Sequence, residues 1–111
     1  IHNQLSEVLH IISWRQVMYR SIKTSDLKGM IGKVNIIDIR TSYLYKLGSI
    51  PSSKNIPNAY LLIEPDKYLN KDDEYYIYCE FGMESVKTCA ILTKKGYNVI
   101  NVLGGYHDYI S

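Results

Sequence analysis

The chain has 111 residues, of which 46% are hydrophobic, and its 13 basic and 11 acidic side chains leave a formal net charge of +2. That length is one domain and lets roughly 65% of the unfolded surface be buried, enough for a core without covalent staples. Neither sign of charge dominates and no basic stripe is interleaved with aromatics, which argues against nucleic-acid binding. No run of 18 apolar residues and no signal-peptide pattern occur, which argues against a spanning or exported segment.

Taken in chain order, Ile1, Leu5, Val8, Leu9 and Ile12 recur at helical spacing, with Asn3, Ser6, Glu7, His10 and Ser13 opposite. The spacing predicts an amphipathic helix within an N-terminal extension, residues 1–20, ahead of a domain over 21–111. A helix docked on the domain, a membrane-proximal segment and a self-association helix all need that same stripe, so the three stay open. The chain begins at Ile rather than Met, so the expectation is a processed chain or a fragment.

Ser21-Ile22-Lys23 reads as a short edge strand. Thr24-Ser25-Asp26 supplies cap residues for a helix through Ile31, ended by Gly32. Val34 to Ile39 is a nearly continuous apolar run, as in a parallel strand buried on both faces. Thr41 or Ser42 caps a short helix that stops at Gly48. Asn55-Ile56-Pro57 is a very short strand, cut off by proline, and Ala59–Ile63 and Asp66–Leu69 are one- to two-turn helices. Tyr75–Tyr78 is a strand, a helix over Ser85–Lys95 ends at Gly96, and Asn98–Val102 is a further strand, with a terminal helix from about Tyr106. Strands alternating with helices predict an α/β fold, a central, mainly parallel sheet with helices on both faces. Sites in such folds lie at the carboxyl ends of the strands.

Cys79 stands at such an end, between the strand and the next helix. The loop amides and the positive helix terminus favour its thiolate, the reactive form. Two cysteines do not make a disulfide framework. In the following helix Val86, Cys89, Ala90 and Thr93 fall on one apolar face, so Cys89 is read as a small core residue, with a resolving thiol for Cys79 as the alternative. A reducing compartment, the cytoplasm, is the expectation. A tether to the inner face of a membrane, by a segment preceding Ile1, stays open beside it.

The order of elements and several short motifs resemble the single-domain rhodanese family. Asp38-Ile39-Arg40 is similar to its D-x-R at a central strand end. Gly48-Ser49-Ile50-Pro51 followed by Asn55-Ile56-Pro57 resembles its G-H-I-P-x-A-x-N-I-P, with Ser49 replacing the usual histidine. Tyr78-Cys79, Gly82 and Ser85 fit its loop Y-C-x-x-G-x-R-S, and Gly96-Tyr97 with Val102-Leu103-Gly104-Gly105-Tyr106 fit its closing motif. The match covers roughly residues 21–110. It implies sulfane sulfur transfer: the Cys79 thiolate takes sulfur from a small donor or a persulfidated protein, becomes a persulfide, and passes the outer sulfur to a thiol acceptor. No metal and no organic cofactor is implied. The active-site loop is then Cys79, Glu80, Phe81, Gly82, Met83 and Glu84, curled into an anion-binding nest, with Gly82 permitting the curl and Ser85 capping the helix. Asp38 either positions the loop or caps its own strand end, and Arg40 ties adjacent loops rather than binding substrate.

The loop departs from the family pattern where Glu80 and Glu84 occupy positions often basic in active members. A carboxylate within about 6–8 Å of a thiolate disfavours it by about 1 kcal/mol and repels an anionic donor. Either both side chains point outward, Glu84 resting in the helix's first turn or pairing with Lys87 or Arg40, or they front the sulfur. Thiosulfate is therefore expected to be a poor donor. Two rivals follow. A rhodanese-fold phosphatase would need H-C-x5-R, but Tyr78 and Ser85 replace its histidine and arginine. A non-catalytic binding or sensing module would fit the reversed loop charge. His107 is read as a surface residue of the terminal helix, and His2 and His10 lack spacing for a metal site.

Overall fold

A computed structural model describes residues 20–111; the predicted N-terminal helix lies outside the described residues. Five strands, β1 (Ser21–Lys23), β2 (Asn35–Asp38), β3 (Lys54–Asn55), β4 (Glu74–Tyr78) and β5 (Asn98–Leu103), form one sheet in the order β1-β5-β4-β2-β3. Every pairing is parallel. The helices are α1 (Thr24–Leu27, continued by a 3-10 turn over Lys28–Met30), α2 (Ser42–Leu47), α3 (Asn58–Ile63), α4 (Pro65–Tyr68), α5 (Met83–Lys94) and α6 (Gly105–Ile110).

The sheet is covered on both faces because successive side chains of a strand point to opposite sides. From β4, Tyr75 and Ile77 face one layer, where Leu61, Leu69, Cys89, Leu92 and Val99 also pack. Tyr76 and Tyr78 face the other, with Leu27, Ile36, Ile50, Ile100 and Val102. Each large side chain so buried stabilises the fold by about 1.5–3 kcal/mol relative to exposure. The register sets Asp38 beside Tyr78, so Ile39 and Cys79 leave the sheet together at the carboxyl ends of its two central strands.

Local detail differs from expectation at two helices, α1 and α5. The cap of α1 is Lys23, without a side-chain bond, so the polar triplet enters the first turn instead of preceding it. At α2 the expected cap holds: the Thr41 hydroxyl accepts from the Leu44 N–H, and Gly48 closes the helix. Helix α5 begins at Met83, two residues earlier than predicted, and its buried residues are Ser85, Thr88, Cys89 and Leu92. Cys89 is in the core as read, but the stripe runs through Ser85 and Leu92, with Val86, Ala90 and Thr93 at its margins. The early start turns Ser85 inward, beneath the loop. Among the described residues no helix is long and apolar enough to cross a membrane.

Candidate active site

Strand β4 delivers Cys79 to the start of a loop that α5 closes. Cys79 is 5% exposed, and its sulfur accepts hydrogen bonds from the backbone N–H of Gly82 at 3.1 Å and of Ser85 at 3.3 Å. Gly82 is the residue that caps α5 and supplies no side chain for the purpose. The Cys79 sulfur thus occupies the place of a helix cap, satisfying amides that would otherwise be orphaned at the terminus. Negative charge on that sulfur is favoured by both donors and by the dipole of a twelve-residue helix. Ser85 is consequently not the cap. It lies in the first turn, where its hydroxyl donates to Asn101 Oδ1 at 2.6 Å and its oxygen accepts the Cys79 thiol at 3.3 Å.

Gly82 adopts φ +91°, a left-handed conformation that only glycine takes without strain, and a Cβ there would sit 2.9 Å from the Gly104 nitrogen. The first amides of α6 hold the outer side of the loop: Tyr106 N–H donates to the Cys79 carbonyl and His107 N–H to the Glu80 carbonyl, both at 2.9 Å.

Arg40 holds the inner side. Asp38, fully buried, accepts from the Arg40 backbone N–H at 2.8 Å and takes the guanidinium through Nε and, at 2.7 Å, Nη2. The same guanidinium donates to the Gly48 carbonyl at 2.6 Å and to Glu80 Oε2 at 2.9 Å, and lies 4.3 Å over the Tyr106 ring. Burial alone would lower the pKa of Arg40, but the hydrogen bonds to Asp38 and Glu80 and the attraction of Asp38 outweigh it and raise it. Arg40 therefore ties three loops, as its position suggested, and Asp38 acts on the loop by orienting Arg40. Of the two loop glutamates, the one that Arg40 meets is Glu80, not Glu84. Glu80 lies next to Cys79 at the strand end, facing Arg40 across the β2–β4 pair, whereas Glu84 is carried onto α5.

A cleft of about 470 Å³ opens over the sulfur. Ile39, Arg40 and Thr41 line it from the end of β2, Leu44 from α2, Pro57, Asn58 and Ala59 from the start of α3, and Cys79, Glu80, Phe81, Met83 and Glu84 from the loop and α5. Both glutamates are among the residues that line the cleft, and the Glu80 carboxylate is turned to Arg40. Among the described residues, no group of three His, Cys, Asp or Glu side chains is placed to hold a metal ion.

Residues 23–111 match the rhodanese-like domain family. The chain belongs to that family. A Bacillus subtilis (strain 168) protein named "Putative sulfurtransferase YtwF" is 33% identical over 91 residues, 78% of this chain and 85% of the relative. A second protein of that organism, "Putative sulfur carrier protein YrkF", is 34% identical over 77 residues, 68% of this chain but 41% of its own length. Among solved structures, a rhodanese-related protein from Thermoplasma volcanium superposes with a TM-score of 0.75 at 35% identity, covering 83% of this chain and 91% of that one. A rhodanese-like domain protein from Staphylococcus aureus gives 0.74 at 34%, covering 81% and 90%. These likenesses support a sulfur-transfer role.

Within this rhodanese-like domain, three contributors went unread in the sequence. Asn101 is a polar residue in the apolar run Val99-Ile100-Asn101-Val102, and that break in pattern was its one visible signal. Tyr106 stands in the closing motif, which does not mark it as a site residue, and the amides of α6 carry no signal because main-chain donors are independent of residue type. His107 is exposed on α6 as read, yet its ring packs 5.2 Å from Phe81 at the loop. Cys89 is fully buried. Burial, with a smaller contribution from the charge of Cys79, pushes its thiol up to about 12, so it stays protonated and unreactive at neutral pH.

Proposed function

We propose that the protein is a sulfurtransferase that carries sulfane sulfur as a persulfide on Cys79. The observation that supports this most is the pair of main-chain N–H groups on Cys79 Sγ beneath an open cleft. In the first step the Cys79 thiolate attacks the outer sulfur of a donor persulfide. The donor's S–S bond breaks, its thiolate leaves with the electron pair, and Cys79 carries the outer sulfur. In the second, an acceptor thiolate attacks that outer sulfur, the new S–S bond breaks, and the pair returns to Cys79 Sγ, where Gly82 and Ser85 receive it. Each step exchanges one S–S bond for another, so no outside oxidant enters. The donor is a small sulfane-sulfur compound or a persulfidated protein, in a reducing, cytoplasmic setting.

Thiosulfate is a poor donor in this reading. Arg40 is consumed by Asp38 and Glu80, and Glu84 adds a negative charge to the cleft. The same argument weighs against a phosphatase, since Ser85 leaves no side-chain cation to clamp a phosphate dianion. Mass spectrometry after polysulfide treatment tests the central claim. Wild type gains one sulfur on Cys79, removable by thiol, and Cys79→Ser gains none. Wild type that takes up sulfur from no donor would instead favour the binding-module reading, to which the exposed Phe81 and Met83 at the cleft rim lend some support. For the donor, Glu84→Arg should raise thiosulfate:cyanide activity several-fold. Robust wild-type activity that the substitution leaves unimproved would sink the charge argument.

A further inference from the structure

The cleft wall carries two acidic groups and one basic group, and the basic one is spent. Arg40 faces Asp38 behind it and Glu80 beside it, whereas Glu84 forms no ion pair among the described residues and lines the same cleft as Cys79. Much of the remaining lining is apolar. Leu44 and Ala59 stand on one side, and Phe81 and Met83, exposed by 61% and 75%, stand at the mouth. A reactant that meets this surface reaches a sulfur on which the Gly82 and Ser85 amides favour negative charge, past an unneutralised carboxylate. Its favourable complement is an apolar skeleton with a positive charge a few ångströms from its own sulfur.

We propose that the sulfur acceptor is an aminothiol, its ammonium group paired with Glu84 and its carbon chain laid on Met83 and Phe81. This rests on the persulfide reading and names the substrate class for the same site. Glu84 is then a specificity-determining residue: it meets the acceptor's cation and takes no part in the sulfur exchange. The acceptor thiolate attacks the outer sulfur of the Cys79 persulfide, the S–S bond breaks, and the electron pair stays on Cys79. An anionic thiol in the same place would set carboxylate against carboxylate.

The test loads Cys79 with polysulfide, confirms one added sulfur by mass, and then follows its loss to three small thiols of similar size. These are 2-mercaptoethylamine (cationic), 2-mercaptoethanol (neutral) and 3-mercaptopropionate (anionic), with each rate divided by that thiol's thiolate concentration. Wild type, Glu84→Gln and Glu84→Lys are compared by the ratio of cationic to anionic acceptor rates, so that any general effect of a substitution cancels. One charge about 6 Å away in a partly wet cleft is worth about 1 kcal/mol to each reactant, with opposite sign, so Glu84→Gln should lower the ratio by roughly thirtyfold, and Glu84→Lys further. Raising the salt to about 0.5 M should pull the wild-type ratio toward that of Glu84→Gln. Equal ratios in all three proteins, with Cys79 loaded, would overturn the aminothiol assignment. Failure of wild type to load at all would overturn the persulfide reading beneath it.

Discussion

Replacing Arg40 with methionine should destabilise the domain by about 3–5 kcal/mol, the cost of leaving a buried charge without its partner. Asp38 is fully buried, and in the variant it keeps one hydrogen bond, from the residue 40 backbone N–H. It loses the Nε and Nη2 donors, and the Gly48 carbonyl loses its 2.6 Å bond. The pair with Glu80 adds little, at most about 1 kcal/mol, because that carboxylate is 36% exposed. Against a total of about 5–15 kcal/mol for a domain of this kind, the variant is near its limit. Urea denaturation followed by far-UV circular dichroism measures the loss. The reasoning places the penalty in the stranded carboxylate, so Asp38→Asn combined with Arg40→Met should recover most of it, since asparagine is neutral and still accepts the backbone bond. A loss below about 1 kcal/mol in the single variant, or a double variant no more stable than the single, would refute it.

Two further outcomes follow from the core and the loop. Because the folded-state pKa of Cys89 is about 12 against an ordinary 9.0, its contribution to stability is full below pH 9. It falls by up to about 1.4 kcal/mol per unit as pH rises from 9 towards 12, where the unfolded thiol ionises and the folded one does not. Urea titrations over that window should show a shallower fall for Cys89→Ala than for wild type, and parallel curves would contradict the assignment. At Gly105, φ is +60° and a Cβ would strike the Cys79 carbonyl oxygen, so Gly105→Ala should cost more than about 1 kcal/mol. That corresponds to a fall in Tm of at least about 4 °C, and a melting curve unchanged within a degree would show that the loop yields.

The architecture was legible because its signals are local and repeated. The apolar runs of β2 and β4, the glycines at helix ends and the alternation of elements each pointed to a parallel sheet, and all five strands lie where pattern put them, to within two residues. The site was legible as far as side chains announce themselves: Cys79 at a strand end, Asp38 and Arg40 at its neighbour. What the sequence hid were pairings decided by geometry. Glu80 and Glu84 are alike in composition, and only the strand-end position of Glu80 sends it to Arg40. Ser85 looked like a cap because serine caps helices, but the Cys79 sulfur took that place and α5 began earlier. The anchoring of the loop by α6 rests on amides that carry no residue signature.

The donors on Cys79 Sγ belong to the main chain. Changes at Phe81, Met83 or Glu84 leave those N–H groups where they are, provided the glycine at 82 keeps its turn. Under the proposed function, reactivity and choice of partner are written in separate layers of the same six-residue loop. The backbone conserves the chemistry, while the outward side chains can be exchanged one at a time to address a different reactant. A single substitution at Glu84 could redirect the protein without an inactive intermediate, an open route to divergence for a loop this short.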